Sequence, residues 1–309
     1  MDNVCHTLVG AAFGEAGLNR RTRFGAAALM ISANLPDVDV LVFATNAPAV
    51  AFRRGWTHGI AAQLLLPLML TAIFLLLGRL GRARPKDDGP PVHGGWLLLL
   101  SYAGVYSHVF LDYLNNYGVR LAAPISWQWF YGDAVFIIDP WLWLVLAAGI
   151  WVARRQRVPV AARAAILCAT CYVIAMLVSA RAARGIVETI WRDARGTEPR
   201  AMMVGPVPLT PFTRDVIVDA GDHYERGTYS WWATEVTFDP RQIAKNADRP
   251  EVAIARQALN VRAFLVWSRF PLWTLQPGPD GTRVTVSDVR FAGGGRVFEA
   301  STVVPTNEQ

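Results

Sequence analysis

Four blocks of nearly pure hydrocarbon dominate the first half of this chain: residues 59–78 (GIAAQLLLPLMLTAIFLLLG), 95–111 (GWLLLLSYAGVYSHVFL), 140–153 (PWLWLVLAAGIWVA) and 164–180 (AAILCATCYVIAMLVSA). A helix needs about 17 to 25 apolar residues to cross a bilayer, and each block is near that length, the third being short. Composition agrees, with 53% of residues hydrophobic and only 17% charged. Residues 1–183 are therefore expected to form a mainly α-helical integral membrane domain with about four strong spans.

Two shorter apolar stretches precede these blocks. The chain starts MDNVCHTLVGAAFGEAGL, with an acid and a histidine where a secretory signal would carry bases, so an uncleaved N-terminus is expected. This stretch and residues 24–36 (FGAAALMISANLP) predict a short helical hairpin, in which Gly10 and Gly14 form a small-xxx-small pair suited to close packing.

Charge supplies a topology, because loops rich in Lys and Arg stay on the cytoplasmic side. Arg20, Arg21 and Arg23 lie between the short helices; Arg79, Arg82, Arg84 and Lys86 follow the first strong span; Arg154, Arg155, Arg157 and Arg163 follow the third. If every block crosses once, these loops share one side. The opposite side then receives His6, Asp37, Asp39, His58, His108 and Asp112 together, although none of them was used to place the loops.

That convergence is what points to a metal. His108 and Asp112, in SHVFLDYLNNYG, stand four apart and so share one face of a helix. An ionisable group within a span costs about 2.5 to 3.5 kcal/mol on insertion scales, and three His with three Asp at one membrane face need compensation. A divalent cation supplies it. In SANLPDVDVLVF, Pro36 suits a backbone break, so Asp37 and Asp39 are expected on a surface turn. Their spacing of two aims them differently: one is expected to bind metal, the other to bridge a second ion or hold a ligating His. The bland alternatives are that the two acids cap or solvate a turn, that His58 in RRGWTHGI merely caps a span beside Trp56, and that Asp139 before Pro140 is a helix N-cap.

The expected ligands are thus His6, Asp37, Asp39, His58, His108 and Asp112, holding one or two ions. Zinc suits nitrogen and carboxylate donors best, with manganese as the alternative. A metal of this kind acidifies water and polarises a phosphoryl or carbonyl oxygen. Asp112 would bridge ions or accept the water's proton, and Asp133 and Asp139, on the same face, would complete the catalytic set. Asn115 and Asn116 would orient substrate oxygens, unless the NNYG stretch is simply a turn.

The early His, the LPDVD turn, RGWTHG at the entry to a span, SHVFLDYLNNYG and FIIDPWLW together resemble the YdjM-like family of inner-membrane-associated, metal-dependent hydrolases. The later VGPVPLTPFTRDVIV, WSRFPLW and VSDVRF are similar to it as well. The resemblance implies a bacterial, multi-pass inner-membrane protein that acts as a hydrolase. A more distant likeness is to the zinc-dependent phospholipase C and nuclease superfamily, whose ligand order would fall on His6, Asp37 or Asp39, His58, and His108 with Asp112. That superfamily adds further His ligands, whereas this chain has no His between 108 and 223, so one or two ions are expected rather than three.

Beyond residue 184 the chain becomes more polar. Alternation at 214–220, 228–238, 262–267, 270–276, 282–290 and 296–304 predicts a small β-rich soluble domain over 184–309, with turns at AGDHYERG, PGPDGT and AGGG and a helix or irregular crossover at 240–260. Span counting puts this domain on the ligand side, while Arg181, Arg184, Arg192 and Arg195 favour the cytoplasm; the ligand side is preferred.

The function expected is a membrane-bound metal-dependent hydrolase acting on a phosphoester or lipid-linked bond at the outer face of the inner membrane, with membrane lipid as its partner. The alternative is a non-catalytic metal-stabilised scaffold or an ion-coupled transporter. A transporter would place its ionisable groups near the bilayer midplane rather than at helix ends. The net charge of +6 is accounted for by topology, so no nucleic-acid partner is expected.

Overall fold

Asp2 opens the first helix by accepting the backbone N–H groups of Val4 and Cys5, as an N-cap should. This and all that follows comes from a computed structural model, which describes residues 1–45, 48–80, 89–291 and 298–305. Helix α1 (Asn3–Glu15) packs against α2 (Gly25–Ser32) as the expected hairpin. Gly10 is the reason the two come so close: a Cβ there would lie 2.8 Å from the Leu29 carbonyl oxygen.

After α2 the backbone bends by 48° into a 3-10 helix over Leu35–Ala44, then forms the short α3 (Ala49–Phe52). Asp37 and Asp39 therefore lie on a 3-10 helix, not on the turn expected from Pro36. With three residues per turn, positions two apart point about 120° away from each other. Helices α4 (Ile60–Arg79) and α5 (Gly94–Tyr113) follow, each of 20 residues and so about 30 Å long, the thickness of a bilayer's hydrocarbon core. Leu64, Leu65, Leu68, Met69, Ile73 and Leu76 of α4 are exposed, as lipid-facing residues are. Where α5 crosses α2, a Cβ on Gly104 would overlap the Ser32 hydroxyl, so only glycine admits this approach.

Helix α6 (Pro140–Gln156) has 17 residues, and α7 (Val160–Arg195) has 36. Among the described residues three helices, α4, α5 and α7, are thus long and apolar enough to cross a membrane, and a fourth span results if α2 and the bent 3-10 helix count as one. The block at 140–153 gives the short helix its length suggested. The basic ends meet, as the charge pattern requires: Arg154 donates to Glu15 (2.8 Å), Arg163 to the Ala16 carbonyl (3.0 Å), and the Arg23 N–H to the Pro91 carbonyl (3.3 Å). Of the loop after α4, Arg82, Arg84 and Lys86 lie outside the described residues.

The chain divides into two compact units, the first made of residues 1–40, 54–180 and 206–211, the second of 41–53, 181–205 and 212–309. In the second, Ala183, Val187 and Trp191 of α7, each four apart, pack on Met202, Val204, Val216, Val218 and Tyr229. Those residues belong to a sheet in the order β1 (Ala201–Pro206), β2 (Thr213–Asp219), β3 (His223–Ser230), β4 (Glu235–Phe238), with β5 (Ile243–Ala244) also on β3. A second antiparallel sheet is formed by β6 (Pro271–Gly278), β7 (Gly281–Asp288) and β8 (Glu299–Val304). The residue pairings β2 with β3 and β6 with β7 make hairpins at two of the expected turns; the AGGG turn lies outside the described residues.

Three expectations here fail. Residues 262–267 are not a strand but part of helix α9 (Leu259–Trp267), which follows α8 (Pro250–Ala255). Its buried residues are Val261, Phe264 and Trp267, a spacing of three that a short apolar run disguises as alternation. Residues 228–238 are two strands, parted by a turn in which Thr234 takes φ +54°. Strand β1 is not among the expected strands, and its last three residues open VGPVPLTPFTRDVIV. Two of the four arginines that argue for the cytoplasm have local partners: Arg195 donates to the buried Glu225 (2.7 Å), and Arg192 pairs with Glu198.

Candidate metal centre

Four residues from three separate parts of the sequence converge at one end of the helical unit. Asp37 comes from the first turn of the 3-10 helix, His58 from the turn before α4, and His108 and Asp112 from the last turns of α5. One ligand atom from each lies within 4.8 Å of every other, and all four residues are buried. His58 Nε2 stands 3.1 Å from both His108 Nε2 and Asp112 Oδ2, and His108 Nε2 is 3.6 Å from that oxygen. Asp37 Oδ1 completes the set at 4.0 Å from His58 Nε2 and 3.9 Å from His108 Nε2.

The hydrogen bonds behind the rings decide what this set selects. His108 Nδ1 lies 2.7 Å from the Ala33 carbonyl oxygen, which only accepts, so the proton is on Nδ1 and the Nε2 lone pair faces the centre. Thr57 Oγ1 gives its single proton to Asp39 Oδ2 (3.0 Å) and lies 2.9 Å from His58 Nδ1. His58 Nδ1 must therefore donate to that hydroxyl, and its Nε2 lone pair also points inward. Two imidazole lone pairs and two carboxylate oxygens meet with no proton between them. A cation suits such a group. Burial also lowers the pKa of His58, favouring the neutral ring a metal needs.

The spacing fits as well. Donors about 2.0 to 2.2 Å from a tetrahedral zinc are about 3.3 Å apart, and five of the separations here run from 3.1 to 4.0 Å. Asp37 alone touches solvent, at 6% exposure against 0% for the other three, so the centre opens on its side.

The remaining candidates divide. His6 stacks on His108, with ring centroids 3.8 Å apart, and its Nε2 is 3.4 Å from Asp112 Oδ1; it supports the His108 ring from behind. Asp39 is outside the four, holding the Arg54 N–H (2.7 Å) as well as Thr57, and so orients His58. Asp139 does not complete the set: its Oδ1 caps α6 at Leu142 N–H (2.9 Å) and its Oδ2 accepts the Tyr172 hydroxyl (2.9 Å). Asp133, buried and at φ +49°, is not part of the four-residue group.

Sequence reasoning assigned Arg54 no role in the centre, yet it is central. Its Nη2 donates to Asp112 Oδ1 (3.0 Å), its Nε lies 2.9 Å from Asp112 Oδ2, and Nη1 donates to Asn115 Oδ1 (3.1 Å). The amino group of Met1 contacts the same Oδ1. Asp112 therefore turns Oδ2 toward the two histidines, with Arg54 Nε beside it, while Oδ1 is held by Arg54 Nη2 and the amino group of Met1. Both Arg54 and Thr57 stood in the RRGWTHGI stretch, Thr57 next to the His58 it serves and Arg54 lying 58 positions from Asp112.

A family model described as YdjM inner membrane protein matches residues 1–183. The chain belongs to that family. It is a multi-pass inner-membrane protein, in keeping with its apolar helices. The matched YdjM region contains every residue of the centre. The chain is also 25% identical over 271 residues to the uncharacterized protein YfhP of Bacillus subtilis (strain 168), covering 87% of this chain and 77% of that protein. No solved structure matches.

Proposed function

We propose that this YdjM-family protein is a metal-dependent hydrolase that cleaves a phosphoester or lipid-linked bond at the outer face of the inner membrane. The observation that carries the reading is the pair of inward Nε2 lone pairs on His58 and His108, meeting Asp37 and Asp112 with no proton donor among them. Those four residues would hold the ion, with zinc favoured by the nitrogen and carboxylate donors and manganese the alternative. When bound, the cation supplies Lewis acidity and lowers the pKa of water towards ~7.

The chain's own residues supply the rest. Ala33, Thr57 and Asp39 fix the tautomers, and Arg54 holds Asp112 against drift and offsets its charge. Asp37, on the solvent side, is the group beside which water and substrate would enter. The basic loops, which gather at the other end of the helices, support the outer face. A hydrolase at that level meets lipid headgroups, which favours a lipid-linked substrate.

A second reading has an observation in its favour: four protein donors, almost wholly buried, are what a closed structural site uses. Transport is less favoured, because the donors sit at helix ends. The test is a panel of phosphoesters, lipids and peptides offered to the protein loaded with zinc and then with manganese. Hydrolysis lost on His108→Ala supports the enzyme. A wild-type protein that retains its metal and hydrolyses nothing supports the scaffold.

A further inference from the structure

The segment after α5 carries a buried cation for which the centre described above has no use. Arg120 is 4% exposed, and its Nε and Nη2 have no hydrogen-bond acceptor among the described residues. None of the carboxylates described there pairs with it. A guanidinium withdrawn from water without a counter-charge is costly, so it is kept for something. It is also held in place, 4.4 Å from the ring centre of Trp129 and 5.4 Å from that of Trp127, whose edge meets Trp56 at 5.1 Å.

The backbone of Arg120 runs beside the metal-ligand turn. The Arg120 N–H donates to the Arg54 carbonyl (3.0 Å), and Arg54 reaches Asp112 and Asn115. The Ala123 carbonyl presses so closely on Gly59, the neighbour of His58, that a Cβ there would overlap it. Asn115 Nδ2 is a second buried donor with no acceptor among the described residues. Buried donors without partners, next to a centre built to receive a cation, are a site for an anion.

We infer that Arg120, with Asn115 as a second donor, receives the phosphate group of a substrate, its planar fork taking two phosphate oxygens. This rests on the hydrolase reading and narrows it from any hydrolysable bond to an organic phosphate. The same chemistry fits a lipid headgroup or a soluble phosphate.

The experiment is calorimetric titration of the full-length protein in detergent, its metal content measured beforehand, with inorganic phosphate and with the soluble short-chain lipid dihexanoyl phosphatidic acid. Wild-type protein should bind at least one, and the tighter of the two identifies the source. Arg120→Gln should weaken that binding by about tenfold or more with metal content unchanged, since a charge-assisted bond is lost. Arg120→Lys, which keeps charge but not the fork, should fall between, and it carries the test if the Gln variant does not fold. No binding of either probe to the wild-type protein, or equal binding by folded Arg120 variants, overturns the inference. A wild-type protein without metal that still binds phosphate through Arg120 overturns the hydrolase reading alone.

Discussion

The Nε2 atoms of His58 and His108 face each other at 3.1 Å, and each ring is turned that way by a hydrogen bond to its far nitrogen. The two bonds differ in kind. His108 relies on a backbone carbonyl, which no substitution of a side chain removes. His58 relies on Thr57, and that hydroxyl is directed by Asp39.

Thr57→Val keeps the shape of the side chain and removes the hydroxyl. The His58 ring then loses what fixes its tautomer, and metal affinity should fall by about 10- to 100-fold, the usual cost of removing such an outer partner. Competition against a chelator of known affinity measures it. An unchanged affinity would show that Thr57 does not govern His58.

Gly104→Ala puts a methyl group into the Ser32 hydroxyl at the crossing of α2 and α5. The helices must part, at a cost of about 1 to 3 kcal/mol. Thermal unfolding in detergent should show the loss, and Ser32→Ala combined with it should recover part. Full stability in the single variant would mean that the helices do not approach so closely.

Asp288 anchors the second sheet and accepts bonds from Ser268 Oγ, the N–H groups of Arg269 and Phe270, and the Arg290 guanidinium. Burial alone pushes its pKa up, but the charge of Arg290 and these bonds outweigh burial and leave it below the usual value. The folded state therefore prefers the carboxylate. Its stabilisation is present above the unfolded-state pKa near ~3.9 and is lost as pH falls through the lower, folded value. Asp288→Asn should destabilise the fold by about 3 to 5 kcal/mol at neutral pH, read by denaturant unfolding, because the buried Arg290 loses the charge that offsets its own. A loss below about 1 kcal/mol would contradict that account.

The sequence was most legible where one physical constraint acts alone. Membrane-length apolar runs can hardly be anything but helices, and Asp112 four residues after His108 had to share its face. Legibility failed where contacts between distant segments decide the outcome. Nothing local says that Arg54 will grip Asp112 across 58 positions, or that Ala33 will offer its carbonyl to His108. Asp139 was ambiguous for the opposite reason: the local cap reading and the site reading both fitted, and its oxygens are engaged by the Leu142 N–H and by Tyr172 from α7. Residues 262–267 show the same limit at the level of secondary structure, since six residues do not distinguish a period of two from one near three and a half.

The central claim is that these four residues bind a metal, and elemental analysis of the purified full-length protein tests it most directly. The account predicts about one to two zinc or manganese ions per chain in the wild-type protein. It predicts little or none in His108→Ala, measured on folded, monodisperse material. Wild-type protein that carries no metal and takes none up, or a His108→Ala variant that keeps all of it, would contradict the account.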